Sequence, residues 1–449
     1  MAEAYVSVTE NALENQRIGT LQIGVVAICM LIQMCDGYDV GSIGWAVPSL
    51  THVWNLPAPA FSTAFVWSSI GVMVGALAAG PIGDRLGRKP LLLASVTIFG
   101  IASLLSAVAP SLAVLSVWRF FTGLGIGGAF SGTTALTGDY TPSRLRATMI
   151  MVQFTGAPLG GFVGGLAVAA LLAHFGWQVI FVIGGVFPLV LVPVMALWLP
   201  ESPRFLARKP NLSTRQQALL ARLDIAPGDG DPHPVDIAGE NPVKMLFGRG
   251  YAVQTVLLWV IYFCSLLNLF LFVYWLPEVL HLTGMTPPQA VFASNFIALG
   301  GMSAVLYLGL LIDRFGPERA LALHYAAGIV FIALIALVAL PYFALLAVIF
   351  LSGTTIIGSQ TGANGACGAL YPARMRTTGI GWAIGIGRIG SIVSPILGGY
   401  LLARGLPPTQ IFLSACFFAL VAATATALLV LRGRPSARLA DQPAPAPSR

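Results

Sequence analysis

Apolar positions in this chain do not recur with the period of an amphipathic helix or an alternating strand. They run in near-continuous stretches of about twenty or more residues, broken by short polar segments that carry most of the charge. A helix rises about 1.5 Å per residue, so each stretch matches a hydrocarbon layer of about 30 Å. The pattern predicts helices near 21–47, 60–82, 91–109, 111–138, 147–173 and 177–199. It then predicts a second set near 251–276, 289–312, 319–340, 342–366, 378–403 and 408–431.

Composition supports a membrane reading. Of 449 residues, 57% are hydrophobic and only 9% charged, against roughly 25% charged in ordinary soluble domains. Mean hydropathy is +0.83. The chain length leaves room for about twelve spans with short loops. The fold class expected is therefore an all-α polytopic membrane protein with twelve transmembrane helices in two six-helix halves.

Several chemistries fall away. Cys29, Cys35, Cys264, Cys367 and Cys416 lie in apolar stretches without paired spacing, so neither a disulfide framework nor a zinc knuckle is expected. His52, His174, His233, His281 and His324 are scattered, which argues against a metal cluster. There is no phosphate-binding loop. No cofactor and no enzymatic reaction are expected. Glu3, Glu10 and Glu14 precede the first apolar run, so no cleavable signal is read there.

The loops carry an orientation. Arg85, Arg88 and Lys89, then Arg144 and Arg146, lie between spans on one side. That side also holds the loop with Arg204, Arg208, Lys209, Arg215, Arg222, Lys244 and Arg249, and the pairs Arg314 with Arg319 and Arg374 with Arg376. Arg17 precedes span one and Arg432, Arg434 and Arg438 follow span twelve, whereas the opposite loops hold only Arg404. Positive charge is retained inside, so both termini are expected in the cytoplasm of a bacterial-type inner membrane. The net charge of +7 then needs no nucleic-acid partner.

The chain also repeats. "GDRLGRKPLLL" (83–93) recurs as "IDRFGPERALA" (312–322), and "TPSRLRAT" (141–148) recurs as "YPARMRTT" (371–378). Both offsets are near 230 residues, which points to duplication of a six-helix half. The expected organisation is a cytoplasmic segment 1–20, a first half 21–199, a cytoplasmic linker 200–250, a second half 251–432 and a disordered tail 433–449. Within the linker only a short helix near 213–223 is expected. The many glycines, as in "GVMVGALAAG" (71–80) and "GLGIGGAFSG" (123–132), read as close-packing faces between helices.

These halves, with Asp-Arg-x-Gly-Arg-Lys after span two and "PESPRFL" (200–206) after span six, resemble the major facilitator superfamily. "DGYD" (36–39), "GSQTGANG" (358–365) and "YPARMRTTGIGWAIGIGRIGSIVSPILGG" (371–399) narrow the resemblance to the aromatic acid:proton symporter family. It covers nearly the whole chain outside the linker and tail. It implies a cytoplasmic gating role for Asp84 and Arg88.

Charges at membrane depth are the informative residues, each costing about 2.5–3.5 kcal/mol at a helix centre on insertion scales. The spans hold Asp36, Asp39, Arg119 and Arg388, with Asp139 at a helix end. Asp36 and Asp39 are three residues apart and share a face if Gly37 leaves the helix intact. Two close carboxylates do not both ionise cheaply, as proton coupling requires. Arg119 would hold one of them ionised, or act simply as structural glue. Arg388 presents a fork of donors that suits a substrate carboxylate.

Further candidate substrate ligands are Gln360, Asn364, Asn268 and Gln153, which could equally serve as hydrogen bonds between helices. Tyr262 and Trp382 are candidate pocket walls, although Trp382 and Arg388 fall on different faces of an ideal helix. Asp84, Arg88, Asp139 and Arg146 form the expected cytoplasmic gate, with Asp84 placed to pair near the start of span eleven. In the second copy Pro317 and Glu318 interrupt the pattern, so its gate should be weaker.

The sequence thus predicts symport of an aromatic carboxylate with protons through the lipid bilayer, by a functional monomer. The rivals are a proton-driven drug exporter, suggested by "GAPLGG" (156–161), a sugar porter, and a receptor that binds without transport. A cationic Arg388 disfavours cationic drugs and neutral sugars.

Overall fold

The computed structural model describes residues 18–207, 209, 212–223, 246–248, 251–338, 340–371 and 373–432. Most of the expected N-terminal segment, the proline-rich linker core and the tail lie outside these residues. Among the described residues the secondary structure is helical, with no strand. The first set of helices is α1 (Thr20–Trp54), α2 (Ser62–Leu86), α3 (Arg88–Ala107), α4 (Leu112–Tyr140), α5 (Ser143–Phe154), α6 (Gly156–Phe175) and α7 (Gln178–Trp198). Two short helices follow, α8 (Pro203–Ala207) and α9 (Thr214–Arg222). The second set is α10 (Ala252–Leu282), α11 (Pro287–Ser294), α12 (Phe296–Phe315), α13 (Pro317–Leu337), α14 (Tyr342–Leu370), α15 (Ala373–Ala403) and α16 (Pro408–Arg432).

Among the described residues eleven helical stretches are long and apolar enough to cross a membrane. The remaining expected span, 289–312, is divided at Asn295 into α11 and α12. Span five is likewise divided, at Thr155. There Pro158 has no N–H to offer the carbonyl of Phe154, and its ring crowds that turn, so the helical ladder is interrupted. Span seven runs six residues beyond its predicted end at 276, through Pro277 and Glu278 to Leu282. A proline followed by an acid reads as a stop in sequence, yet apolar neighbours tolerate both inside a membrane helix.

The chain forms two compact units. One comprises Met1–Asp236 with Met285–Asn295, the other Ile237–Gly284 with Phe296–Arg449. In the first unit α2 and α4 pack along their lengths. A Cβ on Gly71 or Gly75 would strike the carbonyls of Phe120 and Leu124, and one on Gly123 or Gly127 those of Ser68 and Val72. The two glycine-rich stretches singled out in the sequence are therefore each other's partners, and contact is made backbone to backbone.

At one end of this unit α8 and α9 pack so that Leu206, Leu220 and the following Leu223 are buried in one cluster with Leu136, Tyr140 and Leu199. Helix α9 starts at a capping box. The Ser213 hydroxyl accepts from the Gln216 amide (3.4 Å), and the Gln216 side chain accepts from the Ser213 amide (3.0 Å). In the second unit α10 packs on α15 and α16, α12 on α14, and α13 on α14 and α16.

Candidate functional site

Helix α1 is unbroken through Gly37, and α6 approaches it there too closely for any side chain. A Cβ on Gly37 would land on the Ala157 carbonyl, and one on Gly160 on the Met34 carbonyl. This contact fixes the rotation of α1 and hence the direction of its acids. Asp39 points into the unit and meets Arg119 of α4, both only 1% exposed. Arg119 Nη1 donates to Asp39 Oδ1 (2.7 Å) and Nη2 to Oδ2, a bidentate fork.

Around this pair the Ser42 hydroxyl donates to the Asp39 carbonyl (2.7 Å), and the Phe181 ring lies 5.8 Å from the guanidinium carbon. The Tyr38 hydroxyl donates to the Ile180 carbonyl (2.6 Å), tying α1 to α7 beside it. Removing one member of such a buried pair costs about 3–5 kcal/mol, since the other charge is left in low dielectric. Asp36, one turn earlier, is half-buried. The two aspartates therefore occupy different environments.

One turn further along α1 is Gln33, which sequence reasoning missed. It is fully buried, and neither amide atom has a hydrogen-bond partner among the described residues. Gln153 is also fully buried. Its carbonyl oxygen accepts from the Thr137 hydroxyl (2.5 Å), while its amide nitrogen has no described partner. In this structure Gln153 is an interhelical link between α4 and α5.

In the second unit Arg388 is half-buried on α15. The neighbouring Gly387 and Gly390 press on α10 at Tyr262–Leu267. Tyr262 belongs to the buried apolar cluster of that unit. Trp382 is 43% exposed and stacks on Trp259 of α10, with centroids 5.7 Å apart and planes at 18°, so it joins two helices. Gln360 is half-buried, with no described partner for its carbonyl oxygen. Asn364 lies in α14, but its side chain is outside the described residues.

Asn268 lines a small cavity with Ser265, His324, Tyr325, Thr355 and Ser359. Of these only Asn268 was singled out from sequence. Glu278 is buried with its Oε2 unpartnered among the described residues. It was missed because the predicted span stopped short of it.

At the turn between α2 and α3 Arg88 donates to Asp84 at 2.6 Å, four residues apart and with Asp84 largely exposed. The carboxylate that caps a helix here is Glu201 of the "PESPRFL" stretch. It accepts from the amides of Arg88 (2.7 Å) and Lys89 (3.1 Å), at the positive end of α3. Asp139 accepts from the Ser202 hydroxyl (2.7 Å) and lies 3.6 Å from Arg204 Nε. Arg146 is near enough to act electrostatically on Asp139. Gly87 between α2 and α3 has φ +104°, a backbone that a side chain would strain, and a Cβ there would meet Glu201.

A family model described as Major Facilitator Superfamily matches residues 29–386 and 258–448. The chain is 35% identical to the gallate transporter of Pseudomonas putida over 397 residues, 88% of each protein. It is 33% identical to the 4-hydroxybenzoate transporter PcaK of Pseudomonas aeruginosa, covering 93% of this chain and 94% of that one. It is 31% identical to the 3-(3-hydroxy-phenyl)propionate transporter of Escherichia coli, covering 91% and 94%. Among solved structures, a D-xylose-proton symporter aligns over 90% of this chain and 96% of its own, with a TM-score of 0.69 at 17% identity. At that identity the likeness concerns the fold alone.

Proposed function

Because the chain belongs to the major facilitator superfamily, and within it to the aromatic acid transporters, we propose that it takes up a hydroxybenzoate-type carboxylate together with protons. The route is alternating access by two six-helix halves, 21–199 and 251–432, in the cytoplasmic membrane, with both termini inside and the monomer as the working unit. The protein is a carrier rather than an enzyme.

The observation that carries the coupling is the unequal treatment of two aspartates on one helix. Asp39 is neutralised by the Arg119 fork inside the unit, whereas Asp36 is only half-buried. The proton is therefore assigned to Asp36, one turn from the Arg119–Asp39 ion pair. Arg388 is assigned to the substrate carboxylate, because a guanidinium offers two parallel donors to two oxygens. Gln360, Asn364 and Asn268 are assigned to the polar substituents. At the inner face, Asp84–Arg88 and the Asp139 cluster are assigned to the gate.

One proton per monoanion makes transport electroneutral, driven by about 1.4 kcal/mol per pH unit. A second proton would add about 2.3 kcal/mol per 100 mV. The test is uptake of labelled hydroxybenzoates into proteoliposomes with an acid exterior. Accumulation that a protonophore collapses is the expected result. Efflux, or binding without accumulation, would overturn the reading.

A further inference from the structure

The last turns of α10 carry an acid that belongs to none of the repeated motifs. Trp275, Leu276, Pro277, Val279 and Leu280 are buried around Glu278, which is itself only 3% exposed. One turn earlier α15 lies against the helix with no side chain between, since a Cβ on Gly398 would meet the Trp275 ring. Glu278 Oε2 has no hydrogen-bond partner among the described residues. A carboxylate left without partners is costly at membrane depth, and a chain retains such a group where it is used.

The helices packed along α10 bring no cation to it. They are α14, α15 and α16. Helix α14 holds no charged residue, and the single charge of α16 is Arg432 at its far end. On α15 Arg374 and Arg376 stand at the start, while the glycines flanking Arg388 press on Tyr262–Leu267. Leu267 is about 17 Å from Glu278 along the axis. Arg404, just beyond α15, is exposed and sits over the Tyr400 ring, 5.0 Å from its centroid. The charged group that acts on Glu278 is His281, one turn on.

His281 also makes the connection to water. From Glu278 the chain passes from a buried acid to a half-buried imidazole, and then to exposed Leu282, Thr283 and Gly284. Residues three apart share a helix face, and an imidazole can take a proton on one nitrogen and give one from the other. His281 thus stands between solvent and the buried carboxyl, at the end of α10 remote from the basic linker.

Resting on the transport reading above, we propose that Glu278 carries a second proton, delivered through His281, so that each cycle moves two protons with one aromatic monoanion. A proton from water binds one imidazole nitrogen, and the other nitrogen gives its proton to a Glu278 carboxylate oxygen. The carboxylate becomes a neutral acid and the imidazole is neutral again. Glu278 lies in the second unit and the "DGYD" acids in the first, so each unit carries one proton. One net positive charge then enters per cycle, and the membrane potential drives uptake beside the pH gradient.

The test uses proteoliposomes at equal pH on both sides, with a potassium gradient that valinomycin converts to about 100 mV, negative inside. Labelled 4-hydroxybenzoate is the substrate. One net charge raises the accumulation ratio about fiftyfold at that potential, so the wild type should concentrate the acid. Glu278→Gln, fixed in a neutral form, should lose this response and still accumulate substrate under a pH gradient. His281→Gln should reach the wild-type ratio more slowly. Counterflow, which needs no driving gradient, reports that the variants fold and bind. A wild type indifferent to the potential overturns the second proton. So does a Glu278→Gln protein that keeps the response, or one that also fails in counterflow. His281→Gln at the wild-type rate overturns the relay. Failure of the wild type to accumulate the acid under either gradient overturns the transport reading, and this inference with it.

Discussion

Arg119 holds Asp39 through both carboxylate oxygens at a site where each residue is 1% exposed. The two lie eighty positions apart, on α1 and α4. The pair joins α1 to α4 in the interior of the first unit, whereas Asp36, three residues earlier on α1, is half-buried.

Loss of one partner should therefore be costly. Arg119→Gln or Asp39→Asn alone is expected to lower stability by about 3–5 kcal/mol, and the double variant by distinctly less than the sum. Thermal unfolding of the four proteins in one detergent checks this. Additive losses would mean that the two charges are not energetically coupled.

Asp36→Asn is expected to behave differently from Asp39→Asn. It should abolish uphill accumulation, while exchange of internal for external substrate continues. Counterflow and gradient-driven uptake in the same vesicles separate the two activities. Concentrative uptake by Asp36→Asn would remove this residue from the coupling step.

Arg388→Lys keeps the charge but loses the parallel pair of donors. Losing one charge-assisted hydrogen bond should weaken carboxylate binding about tenfold or more, with the melting temperature little changed. Isothermal titration on purified protein gives both the affinity and a check on active fraction. An unaltered Kd would place the acid group elsewhere.

Glu201→Gln at the start of α3 should lower stability by about 0.5–2 kcal/mol. The neutral amide can still accept from the Arg88 and Lys89 amides, but it no longer answers the positive end of the helix. Glu201→Ala should cost more than Glu201→Gln. Equal melting temperatures for both variants and the wild type would show that the cap contributes nothing.

The apolar stretches, the duplicated loops and the sparse buried charges were legible in the sequence. A bilayer sets the length of each apolar stretch and penalises every charge within it, and both constraints act on consecutive residues. Helix ends were legible to within a few residues, except at two internal prolines: span one runs on through Pro48 to Trp54, and span seven through Pro277 to Leu282, which hid the buried Glu278.

Which acid Arg119 takes was not legible, nor was the buried Gln33. Those depend on the rotation of one helix against another. That rotation is decided where Gly37 meets Ala157, Gly71 meets Phe120 and Gly390 meets Phe263, contacts between residues distant in the chain. A run of apolar residues does not say which of its faces will turn inward, because in lipid every face is apolar and only close packing chooses among them.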